Sequence, residues 1–127
     1  MKLTQITKND INDYFTQIPP MSFVILFGGD RLSVCDWGLV ATIDGQFGGL
    51  VTYSESGEMG EGASIVGLWV APQFRKRGVG TALLKSVQQF ANKTDLKVSA
   101  ITHSGLKTVQ KVEGLIVSNM STPFELQ

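Results

Sequence analysis

Arg75-Lys76-Arg77-Gly78-Val79-Gly80 is the stretch best equipped for chemistry. Three cationic side chains stand beside two glycines, and glycine, with no Cβ, lets a ligand come close to main-chain N–H groups. From Gly78 onward, Val79, Leu83, Val87, Phe90 and Ala91 fall on one face, with Lys85, Ser86, Gln88, Gln89 and Asn92 largely opposite, which is the period of an amphipathic helix. The turn therefore opens a helix whose first N–H groups lack an intrahelical acceptor and whose dipole favours an anion such as pyrophosphate. It is not a P-loop, because no Gly-Lys-Ser/Thr closes it. A dinucleotide fingerprint fits poorly, since Leu83 takes the third glycine position and Asp95 falls before the next strand. The bland alternative is an ordinary turn with solvated cations.

Other reactive side chains lie apart in sequence. His103 ends an apolar stretch, where it serves as a hydrogen-bonding cap or, with a reference pKa near neutrality, as a proton carrier. Tyr53 sits late in a strand that precedes the basic turn. Tyr14 lies on an apolar stripe and reads as core, and Cys35 has no paired base in view.

Positioning these groups requires a sheet. Ile65 to Ala71 is almost unbroken apolar residue bounded by Pro72, as expected of a central strand buried on both faces. Lys2 to Ile6 alternates like an edge strand. Thr7-x-x-Asp10 resembles a capping box, and Ile11, Tyr14, Phe15 and Ile18 then predict a helix stopped by Pro19-Pro20. Met21 to Phe27 is apolar without a period, so helix and strand both fit. Trp37 to Ile43 and Phe47 to Ser54, joined through Asp44-Gly45, predict a hairpin, because Asp-Gly supplies the positive φ angles of a tight turn. Gly48-Gly49 inside its second strand predicts a bulge or a close backbone approach. Glu55 to Gly62 is an acidic, glycine-rich loop, read as a solvated, mobile turn or as a lure for a cationic amine. Leu96 to Ile101 predicts a strand parallel to the central one. Ser104 is the expected cap of a helix carrying Leu106, Val109 and Val112 and ending at Gly114, and Leu115–Ser118 with Pro123–Leu126 a short last hairpin.

Arg75-x-x-Gly78-x-Gly80, with Val70-Ala71-Pro72 before it and Thr81-Ala82-Leu83-Leu84 after it, resembles motif A of the GNAT acyltransferase superfamily, Q/R-x-x-G-x-G/A. The order of elements resembles that family over most of the chain and favours a helix at Met21–Phe27. The resemblance implies an α/β (α+β) GNAT fold: a mixed, mostly antiparallel sheet with a splayed parallel central strand pair and flanking helices. It implies acetyl-CoA as cosubstrate, with the main chain of Leu68, Trp69 and Val70 against the pantetheine arm. The amides of Arg75, Lys76, Arg77, Gly78, Val79, Gly80 and Thr81 would take the pyrophosphate. Gly67 is either a bulge that starts the splay or space for a facing side chain. The implied reaction is direct acetyl transfer to a primary amine of a small molecule or protein. Val70 N–H is the candidate oxyanion donor, and His103, Tyr53, Glu55 and Glu61 are the neighbours available for proton transfer. Two departures stand out: Gln110 occupies the position of the family's tyrosine acid, and the central strand carries no carboxylate. They motivate a second reading, an acyl-CoA-binding module without turnover. A third, unrelated reading is a nucleotide-binding regulatory domain.

Composition narrows the field. The 127 residues predict one domain over 1–127 with a core of its own. A formal net charge of zero gives no reason to expect nucleic acid. One cysteine and one histidine give no recognisable metal set. No apolar run has membrane-spanning length and no signal-peptide pattern is present, so the expectation is a cytoplasmic chain with no membrane partner. A short last strand left incomplete would invite a second subunit, a homodimer, to complete the edge.

Overall fold

The computed structural model describes residues 1–98 and 103–117, with side chains over 1–98 and 107–117. β1 (Lys2–Thr7) leads into a 3-10 helix (Lys8–Gln17), α1 (Pro20–Phe27) and α2 (Asp30–Val34). β2 (Trp37–Ile43), β3 (Gln46–Ser54) and β4 (Ser64–Val70) follow, then α3 (Val79–Ala91), β5 (Leu96–Val98), α4 (His103–Gln110) and β6 (Leu115–Val117). The strands form one sheet in sequence order, antiparallel from β1 to β4 and parallel from β4 through β6. This is the mixed sheet with a parallel central pair that the sequence predicts. Among the described residues, β4 and β5 pair only at Ser64–Lys97 and Ile65–Val98.

Local chemistry explains most boundaries. Thr7 donates its main-chain N–H and its hydroxyl to the Asp10 carboxylate, 3.4 and 3.0 Å away, which starts the first helix. That helix is 3-10 throughout, with about three residues per turn, so the stripe expected for an α-helix is broken. Ile11 and Ile18 are buried, but Phe15 turns outward and meets Phe23 edge to face at 5.4 Å. Met21–Phe27 is helical, with Pro20 in the first turn, where its missing N–H is harmless. The five-residue α2 has no sequence signal of its own.

The β2–β3 loop is the two-residue turn expected, with Asp44 at φ 51° and Gly45 at 77°. Its register shifts by one residue between Ala41 and Thr42, leaving Gly48 as an extra residue in β3. A second shift, between Thr52 and Tyr53, leaves Val66 extra in β4, next to Gly67. Gly67 also answers the other expectation: a Cβ there would sit 2.3 Å from the Leu26 carbonyl oxygen, because α1 lies directly on β4.

α3 covers the opposite face, over β2, β3 and β4, burying Val79, Leu83, Leu84 and Val87. Ser86, expected outside, is buried as well, whereas Phe90 is half exposed against Trp37. At α4 the helix begins at His103, so Ser104 lies inside it and not at its cap. Its regular part ends at Gln110, and i to i−3 bonds from Lys111 and Val112 tighten the exit before Gly114, at φ 83°. Residues 99–101 of the expected fifth strand and the Pro123–Leu126 half of the last hairpin lie outside the described residues; Leu115–Val117 pairs in parallel with β5.

The α1–β4 approach makes a direct prediction. Gly67→Ala drives a methyl into main chain, and overpacking of this kind costs about 1–3 kcal/mol. Urea unfolding should show a lowered midpoint with an unchanged slope. An unaltered midpoint would mean that α1 stands further from the strand.

Candidate functional site

Two features define the end of β4. Ala71 N–H donates to the Gly48 carbonyl at 2.8 Å, across β3. Main-chain polar groups alternate in direction along a strand, so Trp69 also turns its N–H and C=O toward β3, while Leu68 and Val70 turn theirs to the β5 side. The Val70 carbonyl there accepts Arg75 Nε–H at 2.9 Å. The N–H groups of Leu68 and Val70 have no partner among the described residues. Trp69 thus offers its side chain to the site, with its main chain spent on β3.

The second feature is the turn itself. Lys76 at φ 64° and Gly78 at φ 81° reverse the chain, and the first bond of α3 runs from Ala82 N–H to Gly78 C=O at 2.9 Å. No main-chain N–H from Lys76 to Thr81 finds an acceptor among the described residues. Six consecutive free donors beside exposed Lys76 and Arg77, at the positive end of a 13-residue helix, make a site for an anion. Arg77 is steadied over the Phe74 ring at 6.0 Å. At Gly80 an added Cβ would lie 3.1 Å from Thr108 Cγ2 and 3.6 Å from Val70 Cγ2, so α4 closes in on the first turn of α3 at this point. The donors and the close approach fit a pyrophosphate with an arm running along the β5 side of β4, where Leu68 and Val70 have no partner among the described residues.

Arg75 points elsewhere than its neighbours. Besides bonding Val70, its guanidinium lies 5.9 Å from the centroid of Trp69, which stacks on Phe47 at 5.9 Å, and Phe47 stacks in turn on Tyr14 at 5.2 Å. Tyr14 is therefore a packing residue. Trp69 and Phe47 form part of the wall of a cavity of about 560 Å³, together with Gln17, Gln46 and Gln73. Trp69 is 5% exposed, and its Nε1–H has no acceptor among the described residues. Leaving a buried donor unpaired costs about 1–3 kcal/mol. No periodicity in the sequence points to this cavity: Gly49, Val51 and Tyr53 face α3, and only the extra residue at Gly48 turns Phe47 to the other face, beside Trp69.

The candidates for proton transfer lie elsewhere. Tyr53 pairs with Ile65, five residues before Val70 and so roughly 16 Å from it along the strand. Its hydroxyl donates to Glu55 Oε2 at 2.5 Å, and burial, then the bond to Glu55 and that residue's charge, raise its pKa far above the ordinary phenol value. Glu55 is ion-paired with Lys93. Glu58 pairs with Arg31 at 3.0 Å. Glu61 accepts from Met59 N–H at 2.7 Å, Glu58 N–H at 3.1 Å and Ser64 Oγ at 3.2 Å. The acidic loop is thus tied into the fold through its carboxylates. Cys35 is buried, its thiol 3.2 Å from the Leu32 carbonyl, and burial raises its pKa. His103 is the first residue of α4, and Gln110, exposed, is its last. No cluster of metal ligands occurs among the described residues, and no helix there is long and apolar enough to cross a membrane.

A sequence model of the acetyltransferase (GNAT) family matches residues 7–110. Among solved structures, the chain resembles a ribosomal-protein-alanine N-acetyltransferase from Brucella melitensis biovar Abortus 2308, with a TM-score of 0.63 and 15% identity over 99% of this chain and 97% of that one. It also resembles an aminoglycoside N-acetyltransferase solved with CoA, with a TM-score of 0.53 and 17% identity over 93% of this chain and 76% of that one. At such identities these likenesses speak for the fold. No curated protein matches the chain.

Glu61 provides a pH test. Burial works to raise its pKa, but hydrogen bonds from its own N–H, Met59 N–H, Ser64 and Glu58 N–H outweigh that and lower it below 4.5. A carboxyl with a folded pKa below its unfolded value contributes stability above the unfolded value, and that contribution is lost as pH falls through the folded one. Glu61→Gln should therefore destabilise the protein at pH 7 by about 1 kcal/mol, the typical worth of a hydrogen bond. The difference should fade below pH 4.5. Urea midpoints at the two pH values decide; an equal difference at both would exclude a charge-dependent role.

Proposed function

The chain belongs to the acetyltransferase (GNAT) family, and on that footing we propose that it transfers the acetyl group of acetyl-CoA directly to a primary amine. One observation carries the reading: among the described residues, the N–H groups from Lys76 to Thr81 and those of Leu68 and Val70 on the β5 side of β4 have no partner. Acetyl-CoA, when bound, supplies an acetyl group activated as a thioester. The amides of the turn, with Lys76 and Arg77, hold the pyrophosphate. Leu68 and Val70 align the arm by main-chain hydrogen bonds. Val70, against Gly80, stands at the pyrophosphate end and its carbonyl is taken by Arg75. Leu68 N–H, further from the turn, and not the Val70 N–H the sequence suggests, therefore donates to the carbonyl oxygen as negative charge develops on it, a role in which one preset donor is worth about 2.7–4 kcal/mol. As the new C–N bond forms and the C–S bond breaks, the acceptor's proton would pass to solvent or to His103 at the start of α4, and the departing CoA thiolate would be protonated from solvent. Tyr53, Glu55 and Glu61 are held in structural bonds and take no part.

A second reading, an acyl-CoA-binding module that does not turn over, is favoured by those occupied carboxylates and by the exposed Gln110 at the end of α4. Amine-dependent release of CoA separates the two.

Calorimetric titration of acetyl-CoA tests the cofactor site. Gly80→Glu places a carboxylate among the amides and should weaken binding by about 100-fold, or 2.7 kcal/mol. Gly80→Gln has similar bulk without the charge and should lose distinctly less. A charged variant that binds like the unaltered protein, or an unaltered protein that does not bind, would contradict the reading.

A further inference from the structure

We propose that Arg75 restricts the cofactor site to thioesters that carry a diphosphate: its guanidinium holds the Val70 carbonyl that the pantetheine arm needs, and a pyrophosphate draws it away. This rests on the acetyl-CoA reading above and adds how the site tells that cofactor from a phosphate-free thioester.

The obstruction comes from strand geometry. In an extended chain the N–H and C=O of one residue turn the same way, so a ligand lying along the β5 side of β4 meets both groups of Val70 together. The Val70 N–H has no partner among the described residues, but its C=O accepts Arg75 Nε–H at 2.9 Å. A pantetheine arm, with amide N–H groups to place, cannot use that carbonyl until the guanidinium leaves.

The same side chain is poorly provided with charge partners. Arg75 is half-buried, and the ion pairs among the described residues are Arg31 with Glu58 and Lys93 with Glu55. Its guanidinium holds one main-chain carbonyl and lies 5.9 Å from the Trp69 centroid, with no carboxylate of the described residues against it. Its own N–H bonds to the Pro72 carbonyl at 3.3 Å, so Arg75 can serve the anion site only through its side chain. Lys76, the next residue, begins the amides that have no acceptor among the described residues, and Lys76 and Arg77 crowd like charge beside Arg75.

A diphosphate and a bare arm therefore face different balances. A pyrophosphate on those amides offers the guanidinium hydrogen bonds between opposite charges, stronger than its bond to a neutral carbonyl. The Val70 carbonyl then passes to the arm. A thioester without phosphate has to displace the guanidinium and leave it half-buried with no acceptor, which opposes binding.

The test titrates S-acetylpantetheine, ADP and acetyl-CoA calorimetrically into the unaltered protein and Arg75→Ala. The substitution should strengthen S-acetylpantetheine binding by about fivefold and weaken ADP binding by about tenfold. Acetyl-CoA, which carries both parts, should lose less than ADP does. Removal of a merely structural side chain would weaken all three. S-acetylpantetheine that binds the variant no more tightly, or ADP indifferent to the substitution, would overturn the proposal. A second measurement uses the unaltered protein alone: as ADP saturates the turn, the carbon-13 shift of the Val70 carbonyl and the nitrogen-15 shift of Arg75 Nε should move together. A Val70 carbonyl that stays unmoved while the turn amides shift would equally overturn it. Failure of both ADP and acetyl-CoA to bind the unaltered protein would instead remove the reading beneath it.

Discussion

The peptide between Val70 and Ala71 is held from both sides, its carbonyl by Arg75 Nε–H at 2.9 Å and its N–H by the Gly48 carbonyl at 2.8 Å. Much else follows from that clamp. It fixes where β4 ends, and thereby where the turn to α3 begins. It sets the alternation that leaves Leu68 and Val70 facing the β5 side. Because Arg75 also lies over Trp69, it ties the cofactor edge of the strand to the aromatic stack on the other face. Glycine at 48 and 49 allows the approach, since a Cβ on Gly49 would meet the Trp69 carbonyl oxygen at 2.9 Å.

Charge is distributed along β4 by function. Cations gather at its C-terminal end, where Lys76 and Arg77 stay exposed beside amides that have no acceptor among the described residues. Carboxylates gather at its start, where Glu55, Glu58 and Glu61 are spent on Lys93, Arg31 and loop amides. The zero net charge thus conceals a division of labour. Anion binding is left to one end and loop anchoring to the other, and the two ends are separated by the length of the strand.

The sequence disclosed the parts of this arrangement that depend on local rules. Val79, Leu83 and Val87 announced α3, Asp44-Gly45 announced the hairpin, and the glycines of the basic turn announced the anion site. What escaped it depends on register and close approach. The extra residues at Gly48 and Val66 reverse which side chains share a face, so Phe47 meets Trp69 instead of α3. The inward use of Arg75 could not be told from that of Lys76 and Arg77, because all three have the same charge and only the strand end distinguishes them. Tyr53 and Glu55 looked available by their place in the chain, yet each binds the other. The 3-10 geometry of the first helix similarly left Phe15 outside a stripe that an α-helix would have completed.

The central claim is that two sets of main-chain N–H groups, Leu68 and Val70 on the strand and Lys76 to Thr81 in the turn, receive acetyl-CoA. Amide proton shifts of the nitrogen-15-labelled protein, followed by NMR during titration with acetyl-CoA, address each of those donors by name. The account predicts saturable, concerted shifts at Leu68, Val70 and Lys76 to Thr81, with Trp69 N–H, paired to β3, moving little. Saturable shifts confined to another part of the molecule, or none at these amides, would contradict it.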